Sequence, residues 1–138
     1  MEQLAVEIVG LCREYGECRV EVERMEEVRR VKNALESVCV VARRKLDISD
    51  PALLLALLDA CEVTRDEGML QEVLDVVGRN LDRLAVSAES VKLLAYCYYY
   101  VEEEECAERA RRMLEELRKM GRGEEELADA ETILEELT

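Results

Sequence analysis

Six cysteines are the side chains of this chain best equipped for chemistry: Cys12, Cys18, Cys39, Cys61, Cys97 and Cys106. They fall in pairs about three breaks in the apolar pattern. Cys12 and Cys18 flank Tyr15-Gly16, Cys39 and Cys61 flank Asp50-Pro51, and Cys97 and Cys106 flank the run that starts at Glu102. Residues equidistant from the turn of an antiparallel helix pair lie at similar height, so three disulfides are expected if the compartment permits them. The other reading is that these are small apolar residues at helix interfaces. A zinc site has less support, because there is no C-x-x-C and no His.

The absence of His removes the commonest general base and the Glu-x-x-His pairs of di-iron bundles. No G-x-x-x-x-G-K-[ST], G-x-G-x-x-G or G-x-S-x-G occurs. Activation of a Cys nucleophile would fall to Arg or Lys alone. The carboxylates collect in runs, Glu102 to Glu105 and Glu124 to Glu126, which suit solvated faces. No catalytic residue, cofactor or metal is therefore assigned, and the chain is read as a non-enzyme.

The tyrosines look like a binding surface. Tyr96, Tyr98, Tyr99 and Tyr100 cover most of one helical turn, so some of them must reach the surface. Tyr offers large contact area with little rotamer freedom to lose. The competing reading packs the rings between helices and leaves the hydroxyls in water.

These residues need helices to position them. The first is expected from about residue 3 to 14, with Tyr15-Gly16 as a break. A long second helix from Cys18 to Leu46 carries Val28, Val31, Leu35, Val38 and Ala42 in alternating steps of three and four, as a coiled-coil seam does. It is either one helix or two with a break near Arg30 to Asn33. Its seam lies inside the monomer or forms a homodimer. Asp50 is a good cap and Pro51 a good first helical residue. The third helix, Pro51 to Arg65, is apolar on nearly every face and belongs at the centre of the core. A fourth spans Met69 to Leu84.

Ser87 caps a fifth helix, whose stripe is Leu93, Leu94, Cys97 and Val101. After a polar turn the sixth begins at Cys106, with Ala107, Ala110, Met113, Leu114 and Leu117 on one face, and ends at Gly121. A last helix, Glu124 to Leu137, holds seven acidic residues and no basic one. It reads as a terminal cap, or as a detachable helix for a basic groove.

The spacing of Ala95, Tyr98, Ala107 and Leu114 resembles that of a tetratricopeptide repeat. The preceding segment fits the same register at Leu58, Cys61, Leu70 and Val77, offset by 37 residues. The family's Trp, its Gly at the turn and its closing Pro are absent. The resemblance covers about half the chain and implies stacked helical hairpins with a concave face lined by Lys92, Tyr96, Tyr99 and Tyr100. The family's peptide-carboxylate clamp has Asn where this chain has Tyr96, so that ligand class is not implied.

At 138 residues the chain is expected to form one all-α domain of about seven helices. Within it, residues 1–50 form an N-terminal hairpin, 51–121 two repeat-like hairpins, and 124–138 an acidic cap. Apolar residues make up 49%, enough for a core without metal or disulfides, yet Phe and Trp are absent. Asn and Gln together number four against 38% charged residues, a thermophile-like balance. The net charge of −14 disfavours direct nucleic-acid binding. The longest aliphatic run, Ala52 to Leu58, is too short for a membrane span, so a cytoplasmic protein is expected.

Three functions follow as expectations. The first is a protein-interaction module that takes a peptide or helix on its tyrosine face. The second is an acidic inhibitor or assembly chaperone that covers a basic nucleic-acid-binding surface of a partner. The third is a structural homodimer.

Overall fold

A computed structural model describes residues 2–19, 24–121 and 123–138 of the chain. The fold is all-α: α1 (Glu2–Cys18), α2 (Met25–Arg43), α3 (Pro51–Thr64), α4 (Glu67–Arg79), α5 (Ala88–Val101), α6 (Glu104–Lys119) and α7 (Glu124–Leu137), with no strand among the described residues. A 3-10 turn, Leu81–Arg83, precedes α5. The chain divides into two compact units, Met1–Val73 and Leu74–Thr138, and the division falls inside α4.

In the first unit, α1 packs on α2 and on α3, and α2 packs on α3. The apolar third helix is central, as predicted: Leu53, Leu54, Ala56, Leu57, Leu58, Ala60 and Cys61 are all buried. Its start follows the sequence signals, because Asp50 Oδ1 accepts from the Leu53 N–H at 3.2 Å and Pro51 occupies the first turn. Asp66 in turn accepts from the Met69 N–H at 3.0 Å and caps α4. Arg43 at the end of α2 pairs with Asp66 at 3.2 Å and with Glu72 at 2.5 Å, so one guanidinium ties the end of α2 to the cap and second turn of α4.

The second unit is built on α5, which packs on α6 and α7, while α6 also packs on α7. Ser87 caps α5 by accepting from the Ser90 N–H at 3.1 Å. Arg109 on α6 reaches Asp82 in the 3-10 turn at 2.5 Å. Gly121 ends the α6 segment with a φ of 67°, the left-handed geometry that favours glycine.

Several expected boundaries move. The Tyr15-Gly16 break does not occur, because α1 continues through both to Cys18. An interior Gly costs a helix about 1 kcal/mol. Gly16 is exposed, and burial of Ala5, Ile8 and Cys18 elsewhere on α1 offsets that cost. The single helix over residues 18–46 is also overturned: Cys18 belongs to α1, α2 starts at Met25, and residues 30–33 lie unbroken inside α2. Most of the segment between, residues 20–23, lies outside the described residues.

The seam of α2 is in place but serves its own unit, with Val31, Leu35 and Ala42 buried. The fourth helix ends at Arg79, not Leu84, and the next residues tighten into the 3-10 turn. The turn after α5 is shorter than the acidic run suggested. Glu104 and Glu105 enter the first turn of α6, where the helix dipole favours negative charge.

Candidate partner-binding face

Lys92, Tyr96, Tyr99 and Tyr100 stand at steps of four, three and one on α5, so they share one side of the helix. Exposure rises toward the C-terminus. Lys92, Tyr96 and Tyr100 are half-buried, whereas Tyr99 is 56% exposed; Val101, also exposed, lies two residues on and so on the other side of α5. The Tyr99 and Tyr100 rings meet edge to face with centroids 5.2 Å apart, a geometry that fixes both rings at low entropy.

The two ends of this side differ. At the Lys92 end, Nζ lies 2.7 Å from Asp129 Oδ2 on α7. At the Tyr99 end the surface is open. The sequence offered no sign that Asp129 would reach Lys92, because pairing depends on how α7 crosses α5. A second pair, Arg118 to Glu131, ties α6 to α7. The buried anchors of α7 are Leu127, Ala130 and Leu134.

Tyr98 plays a different part from its neighbours. Its hydroxyl donates to Glu104 Oε1 at 3.3 Å, across the two-residue connection between α5 and α6. The Glu104 charge pushes the phenol pKa up.

The six cysteines are unbridged thiols. The expected Cys12–Cys18 pairing fails on geometry, because both residues sit on α1, six residues apart along one helix. That separation is about 9 Å of rise, beyond the Cα span of a disulfide. Cys39 and Cys61 lie on the adjacent helices α2 and α3, and Cys97 and Cys106 on the adjacent helices α5 and α6.

Burial dominates their chemistry. It pushes Cys61 up to about 12, helped by the Asp66 carboxylate and the Cys39 thiol. Cys97 also rises to about 12, by burial and then by Cys106 and Glu103. Cys12, half-buried, is driven to about 12 by burial, Asp59 and Cys39. Such thiols carry almost no thiolate at neutral pH and make poor nucleophiles. Among the described residues no group of three or more Cys, Asp or Glu is placed to hold a metal ion. Nor is any described helix long and apolar enough to cross a membrane. No protein family, curated protein or solved structure matches this chain.

Proposed function

We propose that the chain is a protein-interaction module, made of repeat-like helical hairpins, whose contact surface is the C-terminal half of α5. The observation that carries this reading is Tyr99. It is a large aromatic, 56% exposed and braced edge to face by Tyr100 at 5.2 Å, in a helix whose Val91, Leu93 and Leu94 are buried. Exposed, rigid aromatics are the side chains that concentrate binding energy at interfaces. The order of the helices agrees with hairpins, since α5 and α6 are joined by two residues and pack on each other. The ligand is a peptide or helix with an apolar anchor for the Tyr99–Tyr100 end.

The second reading is the acidic inhibitor or assembly chaperone. It draws on the exposed carboxylates of Glu102 to Glu105 and Glu124 to Glu126, which a basic partner surface would cover. Salt separates the two, because exposed charge pairs are screened within about 8 Å at physiological ionic strength.

The test is capture of partners by the full chain and by its Tyr99→Ala/Tyr100→Ala variant, each washed at low and high salt. The groove reading expects a partner that survives high salt and is lost with the two tyrosines. A basic partner that ignores the tyrosine change and leaves at high salt would transfer the function to the acidic surface.

A further inference from the structure

The outer side of α2 is net basic in an acidic protein and adds exposed valines to its cations. Over residues 24–45 the chain carries seven Lys/Arg against three Asp/Glu, whereas the whole is at −14. Two of those cations are held by intramolecular pairs, Arg24 on Glu27 at 2.6 Å and Arg43 on Asp66 and Glu72. Arg29 and Arg30 lie exposed near one end of the helix, and Arg44 and Lys45 lie exposed just past the other. Between them the exposed positions are small, apolar or amide-bearing, with Glu36 as the one charge. Val40 is 52% and Val41 44% exposed, at adjacent positions on a helix that has already buried its own seam.

A groove runs beside this ridge within the first unit. It encloses about 320 Å³: Val40 is its exposed apolar edge, Cys39 and Met69 its largely buried floor, and Glu36, Arg43, Thr64 and Asp66 its polar walls, with the Asp66 carboxylate already paired to Arg43. That volume accepts one large aliphatic side chain.

We propose that the outer side of α2 is a second docking surface, for an acidic amphipathic helix of another protein. Charge complementarity selects the occupant. Arg30 and Arg44 are 14 residues apart, which is about 21 Å along the axis at 1.5 Å per residue. A partner helix of four turns, crossing at about 20°, matches that length. It carries carboxylates at both ends, apolar residues at its centre facing Val40 and Val41, and one aliphatic side chain in the groove. A second copy of α2 fits badly: antiparallel pairing would set Arg30 against Arg44, and parallel pairing would set each cation against itself. Nucleic acid would meet the cations but leave the valines uncovered, on a chain whose net charge repels phosphate. The surface uses none of the residues of the tyrosine face.

The experiment is a selection of binders to the full chain from a phage-displayed library of 18-residue helical peptides, at about 50 mM salt, where charge is weakly screened. Selected peptides are then titrated into the 15N-labelled full chain. The expected consensus has Asp or Glu at both ends and apolar residues between, and the shifted amides fall within residues 29–45. Arg30→Glu with Arg44→Glu weakens binding at least tenfold, as does Val41→Asp, whereas Arg112→Glu on α6 changes it less than twofold. A consensus without acids, binding that ignores the charge reversals, or shifts confined to α5 overturns the proposal. Failure to select any binder overturns it as well. A dimer by sedimentation that the double reversal disperses assigns the surface to a second copy instead.

Discussion

Lys92 Nζ and Asp129 Oδ2 lie 2.7 Å apart and join α5 to α7 at the closed end of the tyrosine side. Asp129 is well exposed and Lys92 only partly, so the pair is a surface contact rather than a buried one. Exposed pairs contribute about 0.2–1 kcal/mol. Asp129→Asn is therefore expected to lower stability by about 0.5 kcal/mol in urea unfolding. Leu134→Ala, which removes a buried anchor of the same helix, is expected to cost about 2–4 kcal/mol. Equal losses would mean that charge, not packing, holds α7 in place.

The centre of the first unit sets a sharper contrast. Leu57 is fully buried in α3, whereas Val41 is 44% exposed on α2. Leu57→Ala is expected to cost about 2–5 kcal/mol, while Val41→Ala stays within about 0.5 kcal/mol. Denaturant midpoints with unchanged slopes check both values.

Two helices end on a residue that resists the required geometry. Arg65 after α3 has φ 54° and Glu102 after α5 has φ 53°, with their N–H groups bonded to Cys61 O at 2.8 Å and Tyr98 O at 2.7 Å. A side chain in the left-handed region costs about 1–2 kcal/mol, and glycine avoids most of that. Part of the gain is lost to the greater freedom of an unfolded glycine. Glu102→Gly and Arg65→Gly are each expected to stabilise the fold by about 0.5–1 kcal/mol, read as a rise in Tm of several degrees.

Stability should fall at both ends of the pH scale, for opposite reasons. Glu27, Glu72 and Glu131 are held below the ordinary value of 4.5 by hydrogen bonds from Arg24, Arg43 and Arg118. A lowered folded pKa means that the unfolded chain binds more protons in acid. The stability these pairs give is present above about pH 4.5 and is lost as pH falls through the folded values. Glu72→Gln is expected to flatten that acid limb, in melts taken from pH 6 to pH 3.

The thiols govern the alkaline limb. Cys12, Cys61 and Cys97 are raised from 9.0 to about 12, and Cys39 to about 11, chiefly by burial. Their stabilising effect is complete below pH 9 and disappears as pH climbs toward 12, because the unfolded thiols ionise first. A Cys97→Val variant should lose part of this slope. At pH 8 the native thiols should react slowly with Ellman's reagent, and half-buried Cys12 should lead. In denaturant without reductant six rapid equivalents are expected, and a count of two or four would mean instead that Cys39–Cys61 or Cys97–Cys106 is bridged.

What the sequence determined on its own was class, composition of the core and the places where caps are chemically explicit. An apolar period of 3.6, one Pro and few Gly allow only helices, and α3 and α7 begin where Asp50-Pro51 and Gly123 place them. The sharing of one side of α5 by Lys92, Tyr96, Tyr99 and Tyr100 was legible too, because side-chain direction along a helix is a local property.

Tertiary structure decided the rest, because the deciding energies are non-local. Gly16 reads as a break, yet buried contacts elsewhere on α1 carry the helix through it. The α2 seam reads as a core stripe or as a dimer interface, and the packing of α1 and α3 fills it. Symmetry about a turn paired Cys12 with Cys18 only while a turn was assumed between them. Asp129 meets Lys92 across 37 residues, and no local rule carries that distance. Exposure of Tyr99 and burial around Cys97 are likewise set by which helices arrive alongside, and only the folded chain supplies those neighbours.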